Sequence, residues 1–145
     1  MREYLKFYID GEWVEPTSPK KFDVINPANE EVCAQISLGS EADVNKAVEA
    51  ARVAFQSFGS TDRKTRIELL SEIIEIYKKR ESDLAQAISE EMGAPAKLAI
   101  QAQASAGLGH LTQALEVLRT FEFEEGREPH RVFKEPIGVL SLIHI

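Results

Sequence analysis

From Ser40 to about residue 122 the chain carries helical signals in near-unbroken succession, and this block decides more than any other feature what it can fold into. It opens on Ser40-Glu41-Ala42-Asp43, a capping-box-like start whose serine oxygen can accept an otherwise unpaired backbone N–H. Val44, Ala47, Val48, Ala51, Phe55 and Phe58 then recur along one helix face, and Gly59 ends the run. A second helix is predicted from about Asp62 to Lys79, with Ile67, Leu70, Ile74 and Tyr77 on one face and Leu69, Ile73 and Ile76 widening it. A face that broad implies packing on two sides. Ser82 can cap a third helix that ends at Met92-Gly93, with Pro95 just beyond. A fourth, rich in alanine, is predicted from Pro95 to about Phe121, with Gly107 and Gly109 permitting close backbone approach.

Strand signals flank the block. Residues 6–15 alternate around an Asp10-Gly11 turn and predict a hairpin, with Phe7, Ile9 and Trp13 in its arms. A polar connector through Pro16 and Pro19 leads to a strand from Phe22 to Ile25. Asn26-Pro27-Ala28-Asn29 is then strong turn chemistry, since proline presets one backbone angle and asparagine tolerates the left-handed region. A further strand is predicted from Glu31 to Leu38. Past Glu122, charge, Gly126 and Pro129 interrupt the pattern before a strand-like Arg131-Val132-Phe133-Lys134. Ile137 to Ile145 reads as a continuous apolar strand of the kind buried in a parallel sheet, with no helix or partner strand after it. The fold class is therefore α/β, strands followed by a four-helix block and strands again, and the end reads as a cut chain.

At 145 residues the chain is one domain or part of one, and neither its 43% hydrophobic nor its 28% charged content suggests disorder. A formal charge of −7 argues against nucleic acid and anionic membranes as partners. The start has no apolar run of a secretory signal, and no stretch is long enough to cross a bilayer. The single cysteine, Cys33, rules out an internal disulfide and fits a reducing compartment, so cytoplasm is the expected location.

No residue of this chain is assigned a catalytic, cofactor-binding or metal role. Cys33 lies in an alternating strand without a helix terminus or basic neighbour to activate it, so a structural cysteine is favoured over a nucleophile. His110, His130 and His144 are too scattered for metal-ligand spacing. Glu90 and Glu91 are adjacent helix positions pointing about 100° apart, which suits a surface or helix-end role rather than paired acid and base. Gly107-Leu108-Gly109 lacks the third glycine and preceding strand of a dinucleotide loop, and close helix packing explains it better. Lys78-Lys79-Arg80, at the expected helix end, would complement the helix dipole.

Residues 5–139 nonetheless match an ordered set of motifs. Phe7-Tyr8-Ile9-Asp10-Gly11-Glu12-Trp13 looks like an opening hairpin, and Val24 to Val32 like a strand, turn and strand built on Asn26-Pro27. Ala42 to Phe55, reading ADVNKAVEAARVAF, is the best single identifier. Arg66 with Leu69-Leu70, Glu91-Met92-Gly93-Ala94-Pro95 and Glu135-Pro136-Ile137-Gly138-Val139 complete the series. Together they resemble the amino-terminal region of the aldehyde dehydrogenase superfamily. Ala94, where lysine is common, suggests a bacterial-type branch.

The resemblance implies that residues 1–129 are the amino-terminal part of a Rossmann-type cofactor-binding domain, with strands over 6–38 and helices over about 40–122. Residues 130–136 would be a strand of an oligomerisation arm, which implies a homo-oligomer, and 137–145 the start of the first nucleotide-sheet strand. Residues 140–145 read as a non-native tail, since one frame of a common transposase sequencing adapter spells Leu140-Ser141-Leu142-Ile143-His144-Ile145 where the family's Pro-Trp-Asn is expected. In the family a cysteine thiolate attacks the aldehyde, hydride passes to NAD or NADP, and a glutamate activates water. All of these residues would lie beyond position 145. Some members hold a structural monovalent cation near the Glu91 loop, to which Glu91 would contribute. Two readings follow: an inactive leading part of an enzyme oxidising an aldehyde to a carboxylic acid, or a free-standing, non-enzymatic helical interaction module. A chain ending in mid-strand favours the first.

Overall fold

A computed structural model of the chain describes residues 2–142, with the backbone alone at Arg127. Strands β1 (Arg2–Tyr4), β2 (Phe7–Ile9), β3 (Glu12–Val14), β4 (Lys21–Asn26) and β5 (Glu31–Ser37) come first. Helices α1 (Glu41–Phe58), α2 (Arg63–Met92), α3 (Ala96–Leu98) and α4 (Ser105–Thr120) follow, then β6 (Glu124–Arg127) and β7 (His130–Phe133). A π-helical stretch, Ala99–Ala104, joins α3 to α4. No helix among the described residues is long and apolar enough to cross a membrane.

The predicted hairpin forms between β2 and β3. Asp10 and Gly11 both take left-handed φ values, 53° and 79°, as a two-residue turn matched to strand twist requires. At the next turn the Asn26 side chain accepts from the Ala28 N–H at 2.9 Å, and its carbonyl accepts from the Glu30 N–H at 2.8 Å. The left-handed residue there is Glu30, φ 61°, and neither asparagine. Asn29 instead accepts the Glu31 N–H through its side chain at 3.1 Å. Strand β1 lies outside the predicted strand region: it pairs parallel with β5, giving the order β1-β5-β4. Three polar-leaning residues carry no legible period, and the pairing is long-range.

Helix α1 begins with the predicted capping box. The Asp43 carboxylate accepts the Ser40 N–H at 2.9 Å and the Ser40 hydroxyl accepts from Asp43 N–H in return. The two helices expected over 62–92 are one helix of 30 residues, capped by Asp62 and ended by Gly93 at φ 68°. Ser82 caps nothing. No glycine or proline stands between Tyr77 and Ser82 to break the helix, and a serine inside a helix costs only a fraction of a kcal/mol, roughly 0.5, relative to alanine. Lys78-Lys79-Arg80 accordingly sits in mid-helix, where Lys78 pairs with Glu75 at 2.7 Å and Arg80 with Asp83 at 3.4 Å.

Alanines hold the helical block together. Ala85 of α2 packs with Ala99 and Ala104 of the π-helical stretch, backed by Ile88 and Ala94. Side chains this small let the two helical axes approach closely but bury little apolar area each. Ile74 and Leu115 are the larger buried aliphatics, and no large side chain among the described residues is completely buried. On α1 the predicted stripe is only half covered: Val48, Ala51 and Phe55 are partly buried, while Val44, Ala47 and Phe58 are exposed.

Residues 137–142 carry no strand pairing, and Ile137 is 91% exposed. A strand satisfies its backbone groups through a neighbour, and no described strand lies beside this segment. Residues 143–145, His144 among them, fall outside the described residues.

Candidate functional site

Two sequence motifs that lie far apart along the chain meet at the carboxyl end of α2. Gly93, the left-handed residue that ends the helix, comes so close to the Asn26-Pro27-Ala28-Asn29 turn that a β-carbon there would lie 2.8 Å from Pro27 Cγ and 3.6 Å from Ala28 N. Just before it, Glu90 pairs with the Arg2 guanidinium of β1 and accepts from Gln86 Nε2 at 2.8 Å. Glu91 is exposed on a different side of the helix. The two carboxylates therefore do not converge, and Glu90 fastens the sheet to the helix.

Cys33 borders this junction. The β4–β5 register passes from Val24↔Ala34 to Ile25↔Val32, which makes Cys33 the extra residue of a bulge. Its thiol donates to the Val24 carbonyl at 3.3 Å and lies 4.0 Å from the Glu90 carbonyl. A cysteine in this place packs the sheet onto α2.

A cleft of about 650 Å³ opens between the α1–α2 loop and the residues flanking the β6–β7 hairpin, with Arg63, Arg66, Phe123 and Lys134 in its wall. Its cations are already engaged. Arg63 donates to the Arg119 carbonyl at 3.4 Å and to the Phe121 carbonyl. Arg66 donates to the Gly59 carbonyl and to Thr61 Oγ1, both at 3.0 Å. Both guanidinium groups stand over the Phe123 ring, 5.9 and 5.7 Å from its centroid. Lys134 meets the Glu122 carbonyl at 3.1 Å and the Glu125 carboxylate at 2.5 Å. The cleft ties the hairpin to the helices, and it has neither a cysteine nor a histidine in its lining.

His110 on α4 and His130 on β7 are both exposed, and among the described residues no three His, Cys, Asp or Glu side chains are grouped to hold a metal. Gly107-Leu108-Gly109 lies within α4 rather than in a strand-to-helix turn. Gly107 serves close packing, since a β-carbon there would meet the Tyr77 ring, whereas one at Gly109 would meet nothing within 4 Å. Sequence reasoning missed the Arg63–Arg66–Phe123 clasp. Its signal was only the pair of arginines after a helix cap.

Comparison with known proteins agrees with this geometry. A sequence model described as the aldehyde dehydrogenase family matches residues 13–144. The chain is 46% identical over 144 residues to 3-succinoylsemialdehyde-pyridine dehydrogenase from a Pseudomonas species, a match spanning 99% of this chain and 30% of that protein. Aldehyde dehydrogenase C from Pseudomonas syringae, crystallised with NAD+ and octanal, superposes with a TM-score of 0.89 at 42% identity, over 91% of this chain and 27% of that one. The aldehyde dehydrogenase of Bartonella henselae gives 0.86 at 43% identity, over 90% and 28%. The chain spans about 30% of the length of the relatives it matches, and it belongs to the aldehyde dehydrogenase family.

Proposed function

We propose that this chain is the leading part of an NAD- or NADP-dependent aldehyde dehydrogenase that oxidises an aldehyde to a carboxylic acid, and that the 145 residues are inactive without the remainder. The observation that carries the reading is an end-to-end match at 46% identity covering only 30% of the relative. That a structural neighbour was crystallised with NAD+ and octanal supports the cofactor and substrate class. The role of Cys33 as the bulge residue against α2, engaged with backbone carbonyls, supports a nucleophile supplied elsewhere. In the same reading residues 1–129 begin the cofactor domain, 130–136 form part of an arm between subunits, and 137 onward enters the nucleotide sheet. Cytoplasm and a homo-oligomer belong to this proposal as well.

The test compares two proteins. The 145-residue chain mixed with an aldehyde and either dinucleotide is expected to give no reduced-cofactor absorbance, and the product of the genomic reading frame followed past Val139 is expected to give it. Turnover by the short chain, or a genomic frame without a cysteine nucleophile, overturns the proposal.

A further inference from the structure

No further inference is drawn: the strongest candidate, the cleft between the α1–α2 loop and the β6–β7 hairpin with Arg63, Arg66 and Lys134 in its wall, belongs to the clasp already described, its cations being engaged by backbone carbonyls, the Thr61 hydroxyl and the Glu125 carboxylate, and nothing in the structure shows what would occupy it.

Discussion

Gly107 of α4 abuts the phenol of Tyr77 on α2: a β-carbon at 107 would stand 3.0 Å from Tyr77 Cζ and closer still to its hydroxyl, which donates to the Ala104 carbonyl at 2.8 Å. The hydroxyl is held by that bond, so it cannot step aside freely. Gly107→Ala is expected to destabilise the chain by about 1–3 kcal/mol through overpacking, outweighing the gain of about 1 kcal/mol from replacing a helical glycine. Gly109→Ala, with open space around it, is expected to stabilise by about 0.5–1 kcal/mol. Urea unfolding followed by circular dichroism checks both. Stabilisation by both substitutions would mean that the Tyr77 contact does not constrain the helix.

Gly93 carries two separate demands, a left-handed backbone and contact with Pro27. Gly93→Ala is expected to cost about 1–2 kcal/mol for the backbone conformation, and more for the clash with Pro27 Cγ. Pro27→Ala in the same chain removes the ring and is expected to restore only the second part. A double-mutant cycle over positions 27 and 93 measures the difference, and strict additivity of the two changes would rule out the contact.

What was legible in the sequence was what local chemistry decides. Ser40 with Asp43 announced α1, Asp10-Gly11 announced the hairpin, and Gly93 announced the end of α2, because caps and left-handed turns are set within four residues. Strand β1 was not legible, since only its long-range pairing with β5 makes it a strand. The continuity of α2 through Ser82 was misjudged because a possible cap was given more weight than the absence of any breaker beside it. Glu30, rather than an asparagine, takes the left-handed place because Asn26 and Asn29 spend their side chains on hydrogen bonds to nearby backbone N–H groups. The family was legible in the order of its motifs. The contact between two of them, Gly93 against Pro27, was not, because tertiary approach alone creates it.

Asp43 is 4% exposed and receives four hydrogen bonds: one carboxylate oxygen from the Thr17 N–H and hydroxyl, the other from those of Ser40. These donors, those of Ser40 foremost, hold its carboxyl well below the usual aspartate range. Because the folded value is depressed, the contribution to stability is fully present above the unfolded value of about 4. It is lost as pH falls below that value toward the folded one. The melting temperature is therefore expected to drop on acidification below about pH 4–5. Asp43→Asn turns an amide N–H toward one backbone donor, so it is expected to lower the melting temperature near neutrality and flatten the acid limb. Parallel pH profiles for wild type and variant would contradict this account.

Arg66 closes the α1–α2 loop. Its guanidinium binds the Gly59 carbonyl and the Thr61 hydroxyl, which itself donates to the Phe58 carbonyl at 2.7 Å, while its face lies over Phe123. Planarity is what lets one group hold a loop on two edges and an aromatic ring on its face. A lysine can reach one acceptor and cannot stack in the same way, so Arg66→Lys keeps the charge yet is expected to cost about 1–2 kcal/mol, discounted for partial exposure. The effect is expected to be local. Hydrogen exchange of the amides from Gly59 to Asp62 and of the β6–β7 hairpin should quicken together, while exchange in the middle of α2 stays as in the wild type. Quickening of the loop alone would mean that Arg66 does not couple the loop to the hairpin, and that Arg63, through the Arg119 and Phe121 carbonyls, holds the hairpin unaided.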